Sequence, residues 1–218
     1  TNTESVMFST WRYHLRAAQK ASDEGRLEEA MATIERERLT LYAPGNQLKE
    51  KIAQQFALRG GAKAQQGEFA AAWSDVQHCQ KLLGSGSVWS QAVETVLQTE
   101  LDTIFRLWKA ADFRTATELL LSLKSETNAD LPIDSWLDVG RRLESAYKLG
   151  CRGKFAEADE QLSAAAAIRS DLPVVSELRE QNRANQQRAR ELEESLHQSL
   201  AEQDWGSVLK WADAYLQI

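Results

Sequence analysis

One short phrase returns five times along this chain: a small or polar residue, a gap, a bulky apolar residue, a gap of two, then a small residue. It reads Gly25-Arg26-Leu27-Glu28-Glu29-Ala30, Gly67-Glu68-Phe69-Ala70-Ala71-Ala72 and Ala111-Asp112-Phe113-Arg114-Thr115-Ala116. Gly153-Lys154-Phe155-Ala156-Glu157-Ala158 and a worn copy, Gln203-Asp204-Trp205-Gly206-Ser207-Val208, complete the set. The copies start at residues 25, 67, 111, 153 and 203, spaced by 42, 44, 42 and 50. A period in that range marks a stacked-repeat architecture, in which each unit leans on its neighbours and no single compact core is required.

The apolar spacing changes phase at each phrase. Before the first glycine, Trp11, Leu15, Ala18 and Ala21 recur at three- and four-residue steps, one stripe of a helix. After it, Leu27, Ala30, Met31 and Ile34 do the same. A glycine between two helices closes the first by taking a left-handed backbone without steric penalty. The alanine at the sixth position lets the paired helices approach closely. The chain has only 3 Pro in 218 residues and is rich in Ala, Leu, Gln and Glu, which suits helix interiors.

The expected fold is therefore all-α, a solenoid of five antiparallel helix pairs forming one helical-repeat domain over residues 1–218. The helices are expected at about 5–24 and 27–40, 46–66 and 69–83, 87–110 and 113–124, 134–151 and 155–168, and 174–202 and 206–217. Repeats then span about 5–42, 46–84, 87–127, 134–170 and 174–218. The breakers between pairs are Pro44-Gly45-Asn46, Gly84-Ser85-Gly86-Ser87, Asn128 to Pro132 and Asp171-Leu172-Pro173. The stretch Arg179–Glu191 has no apolar side chain larger than alanine. A helix polar on all sides is not held by core burial, so it either projects into solvent or bridges two parts; an overhang of the longer fifth repeat is the expectation here.

The chain resembles the tetratricopeptide-repeat family. In that family a small residue at the eighth position of the first helix faces a second-helix alanine, with glycine and an aromatic at the turn between them. Ala18 and Ala30, Gly60 and Ala72, and Ala146 and Ala158 occupy those places, whereas Ile104 opposite Ala116 and Leu196 opposite Val208 depart from the pattern. The period also exceeds the family's standard of about 34 residues. The resemblance implies a protein–protein interaction scaffold that binds a partner peptide or domain through its concave face. It places Phe105, Trp108, Lys109 and Tyr147 on that face in the middle repeats, with Arg12 and Gln19 at the N-terminal end. The aromatics there form either an exposed patch or a buried seam between neighbouring first helices. Gln19 and Gln65 stand where the family's clamp for a terminal carboxylate needs basic and amide anchors, which disfavours a receptor for chaperone tails.

Other function classes find little support. His14, His78 and His197 lie on different expected helices, and zinc or catalytic sites need converging ligands. There is no phosphate-binding glycine loop after a strand, no H-E-x-x-H and no G-x-S-x-G. No enzyme activity, metal or cofactor is expected. The net charge is −6 with acids and bases intermixed, so no basic footprint for nucleic acid exists. No apolar run reaches the roughly 20 residues needed to span a bilayer. Two cysteines, Cys79 and Cys151, form no disulfide framework, and a reducing, cytoplasmic setting is expected. The chain is expected to be a monomeric module of a larger protein, since Thr1 stands where an initiator Met would and the apolar stripe reaches Ile218 without a stop signal. The alternatives are a dimer through the C-terminal repeat and a spacer between flanking domains with no ligand groove.

Overall fold

The computed structural model describes residues 2–127 and 131–215. Asn128–Asp130 of the third connector and Leu216–Ile218 at the end of the last apolar stripe lie outside the described residues, as does Thr1. Every regular element described is helical. The helices are α1 (Asn2–Asp23), α2 (Leu27–Arg36), α3 (Ala43–Gln65), α4 (Phe69–Leu83), α5 (Ser87–Lys109), α6 (Phe113–Glu126), α7 (Ile133–Gly150), α8 (Phe155–Ile168), α9 (Pro173–Ala201) and α10 (Trp205–Tyr215), with a 3-10 turn at Leu39–Leu41. Neighbours in sequence pack on one another: α1 on α2, α3 on α4, α7 on α8 and α9 on α10, and between pairs α2 on α3, α6 on α7 and α8 on α9. The chain divides into two compact units, Thr1–Asp102 and Thr103–Ile218, with the division inside α5.

All five phrases fold into the same turn. Gly25, Gly67, Ala111, Gly153 and Gln203 each have a positive φ, between 57° and 82°. The next residue's N–H reaches the carbonyl five back: Arg26 to Ala21, Glu68 to Lys63, Asp112 to Leu107, Lys154 to Leu149 and Asp204 to Ser199, at 2.8–3.0 Å. The turn residue's own N–H reaches the carbonyl three back, so both orphan carbonyls of a Schellman closure are satisfied. The two copies without glycine carry Asp at the following position. There Asp112 accepts from the Thr115 amide at 3.1 Å and Asp204 from the Ser207 amide at 3.3 Å. A side-chain cap of this kind supports the start of the second helix, whereas Arg26, Glu68 and Lys154 make none.

The sixth-position alanines Ala30, Ala72, Ala116 and Ala158 are fully buried. A side chain on Gly60 would press on the Ala72 carbonyl oxygen at 3.2 Å, so glycine sets how closely α3 and α4 approach. The fifth copy is looser, with Val208 and Leu196 half-exposed and no buried residue in α10.

Three local expectations are corrected. First, α2 stops at Arg36 instead of reaching residue 40, because Arg38 turns left-handed (φ 49°) and the 3-10 turn tucks Leu39 into the core. Second, Pro44-Gly45-Asn46 is the first turn of α3 and not a connector. Proline there sacrifices no helical hydrogen bond, and Gly45 is needed because a Cβ would collide with the Leu39 carbonyl. Third, the polar part of α9 does not hang free. Arg179 grips Asp159 of α8 through Nε–Oδ1 at 2.9 Å and Nη2–Oδ2 at 3.2 Å, and Asn182 donates to the Phe155 carbonyl at 3.0 Å. The Arg179 guanidinium holds the Asp159 carboxyl below its ordinary value.

Unit one buries charge as well as apolar surface. Asp75 of α4 is fully enclosed and takes hydrogen bonds from Arg59 of α3 at 2.6 and 2.9 Å, with the Lys63 ammonium 2.9 Å away. Arg59 also pairs with Glu28 of α2 and lies 5.0 Å from the Phe56 ring centroid. A buried carboxylate is tolerable only with such partners. The buried Glu100 of α5 accepts the Trp73 indole N–H at 2.8 Å.

Candidate functional site

In unit two, the end of α5, the start of α6, α7 and α9 enclose a cleft of about 170 Å³. Trp108, Phe113, Leu143, Tyr147 and Leu178 give it apolar and aromatic walls, and Gln181, Asn182 and Asn185 of α9 give it neutral amides. Each wall residue is placed by the repeat. Trp108 stands in the last turn of α5, three residues before the left-handed Ala111, and Phe113 is the turn aromatic that opens α6. Phe113 leans on Tyr147 with ring centroids 5.8 Å apart. Leu143 and Tyr147 stand one helical turn apart on α7, and Leu178, Asn182 and Asn185 recur at one face of α9.

Trp108 is 1% exposed. Its indole lies flat enough on α7 that a Cβ on Gly140 would sit 3.2–3.4 Å from three ring atoms. Tyr147, by contrast, is 52% exposed at the mouth. Hydrogen bonding to Cys151 holds its phenol above the ordinary value, and Cys151 is itself exposed on the rim. Asn182 uses its amide nitrogen on the Phe155 carbonyl, while Gln181 and Asn185 make no side-chain hydrogen bond among the described residues. Lys109 pairs with Glu177 of α9 across the rim. Both are about half exposed, so this bond adds at most about 1 kcal/mol.

Of the residues expected on a binding face, Trp108, Lys109 and Tyr147 meet in this cleft. Phe105 is half-buried beside them, its ring 5.5 Å from that of Trp108. Of the two alternatives for these aromatics, Trp108 takes the buried one and forms the closed back wall, because Gly140 admits its ring against the α7 backbone. Arg12 and Gln19 belong to unit one and line no part of this cleft. The Arg12 guanidinium lies 5.6 Å from the Trp11 ring centroid, and Gln19 donates to Asp23. The α9 amides carry no site signature in the sequence, since they fall inside the polar stretch Arg179–Glu191.

Among the described residues no three of His, Cys, Asp and Glu come together in a group able to hold a metal ion. His14 faces Glu37 at 3.7 Å and His78 stacks on Phe56 with ring centroids 4.9 Å apart. No described helix is long and apolar enough to cross a membrane. Compared with protein-family models, curated proteins and solved structures, the chain matches none. The cleft itself offers an apolar seat with hydrogen-bonding amides at its edge and no buried charge. That chemistry suits an uncharged, partly apolar segment whose own amide groups need partners.

Proposed function

We propose that this chain is a protein–protein interaction scaffold of the tetratricopeptide-like kind, its five helix pairs stacked as a solenoid. It binds an extended segment of a partner protein in the cleft of α5, α7 and α9. One observation carries the reading: two turns of α9 direct Leu178, Asn182 and Asn185 at a pocket whose other side is Trp108, Phe113 and Tyr147. An apolar partner side chain would enter beside Phe113 and Leu143, and its flanking backbone would exchange hydrogen bonds with Gln181 and Asn185. Trp108 and Gly140 keep the wall rigid, so little ordering cost falls on the protein when a ligand binds.

The test is selection of peptides from a displayed random library on the purified chain, followed by titration of an enriched peptide. Tyr147→Ala removes a half-exposed ring without opening the core, and should weaken binding by about tenfold or more, as loss of an aromatic anchor does. Failure to enrich any peptide would favour the spacer reading, and unchanged affinity in Tyr147→Ala would move the site elsewhere.

A further inference from the structure

The fifth helix pair leaves open a surface that the fourth pair fills. With a 50-residue offset, Trp205, Leu209 and Ala212 of α10 stand where Phe155, Asp159 and Leu162 of α8 stand. Those three α8 residues receive the next first helix. Asp159 is held by Arg179 and Arg183 of α9, the Phe155 carbonyl accepts from Asn182, and Leu162 shares a cleft wall with Leu178. The second pair uses the same seam, since Trp73, at the position of Asp159, bonds Glu100 of the following helix α5. In the first pair the corresponding Met31 is buried. Thr117 in the third pair is the exception, its hydroxyl bonded to its own helix at Phe113. In the fifth pair Trp205 is 64% and Leu209 68% exposed, while Ala212 is half-buried at the edge toward Glu193 and Leu196 of α9.

The residue facing the incoming helix sets its chemistry. Asp159 selects arginines; Leu209 at the same position selects an apolar contact, and Trp205 one turn earlier extends it. Asp213, one turn after Leu209, is exposed and makes no ion pair among the described residues. Chain direction follows from α8 and α9, which run antiparallel: residue 155 meets 182, and 159 meets 179. We propose that the Trp205–Leu209 face of α10 is a docking surface for an amphipathic helix of a partner protein, laid antiparallel on α10 as α9 is on α8. That helix carries an apolar pair four residues apart against Trp205 and Leu209, and a basic residue one turn earlier against Asp213. The seam continues an interface already made at α8–α9 within the chain, and it is independent of the cleft reading.

A stapled peptide of residues 173–190 carrying Val175→Lys, Arg179→Leu and Arg183→Leu is the probe, since it is α9 re-matched to the α10 face. Titrated into the full chain and followed by tryptophan fluorescence and calorimetry, it should bind saturably, and Leu209→Asp should weaken it by about tenfold or more. The stapled peptide with Arg179 and Arg183 retained should do the reverse, binding Leu209→Asp and not the unaltered chain. Circular dichroism of Leu209→Asp should be unchanged, because Leu209 is exposed. The proposal is overturned if neither peptide binds, or if the leucine peptide binds both proteins equally. It is also overturned if sedimentation shows the chain self-associating through Leu209, which would make a second copy the occupant.

Discussion

Replacing Gly67 by alanine isolates the backbone term of the repeated turn. Gly67 has φ 82°, and an added Cβ would have no heavy atom within 4 Å. No clash contributes, so the penalty is that of an L-residue in the left-handed region, roughly 1–2 kcal/mol. Alanine also narrows the unfolded ensemble, which returns about 0.4–1 kcal/mol. The net expectation is a destabilisation of about 0.5–1 kcal/mol. Ala111 occupies the equivalent turn at φ 60° with its Cβ present, so Ala111→Gly should stabilise by a similar amount. In a chain of this length that corresponds to shifts of roughly 2 °C in opposite directions. Urea denaturation followed by far-ultraviolet circular dichroism measures both, with midpoints compared only where the slope is unchanged. A neutral or stabilising Gly67→Ala, or a destabilising Ala111→Gly, would refute the claim that the five turns share one left-handed closure.

Ala72→Leu should overpack the α3–α4 contact and cost about 1–3 kcal/mol by the same assay, while Glu68→Ala at the exposed turn stays within about 0.5 kcal/mol. Asp75→Ala leaves Arg59 and Lys63 facing a hole. Because both are about a quarter exposed, the loss should be about 2 kcal/mol, below the ~3–5 of a fully buried pair. The Asp159 carboxyl is held below its ordinary value of 3.8 by Arg179, so its contribution is present above that value and is lost as pH falls through the lower folded-state value. The stability difference between the unaltered chain and Arg179→Ala, measured by urea unfolding across the acid range, should therefore be constant near neutrality and shrink in strong acid.

The helix pairs were legible because the signal is local and repeated. Leu27, Phe69, Phe113 and Phe155 follow their turn residues at fixed spacing, and each is buried. Even Ala111 and Gln203, which lack glycine's freedom, fold as the pattern requires, with Asp112 and Asp204 as caps. What escaped the sequence depends on contacts distant along the chain. Gly45 looks like a helix breaker until the Leu39 carbonyl is placed against it. Trp108 reads equally as a groove residue or as part of a buried seam until Gly140, thirty-two positions on, is brought under its ring. Arg179 and Arg183 read as solvated until Asp159 meets them from the preceding helix. The Leu178, Asn182, Asn185 spacing, one face of α9, was the available clue to the cleft. It was masked by the polarity of the residues around it.

The central claim, that a partner segment lies in the cleft of unit two, is tested most directly by the reactivity of Cys151. This thiol is exposed on the rim, whereas Cys79 is buried. Maleimide labelling of the chain should modify Cys151 and spare Cys79. At saturating concentrations of a library-selected peptide, the Cys151 rate should fall by about tenfold or more, in proportion to the fraction bound. An unchanged rate with the peptide fully bound would contradict the account, placing the binding surface away from Tyr147, Cys151 and the α9 amides.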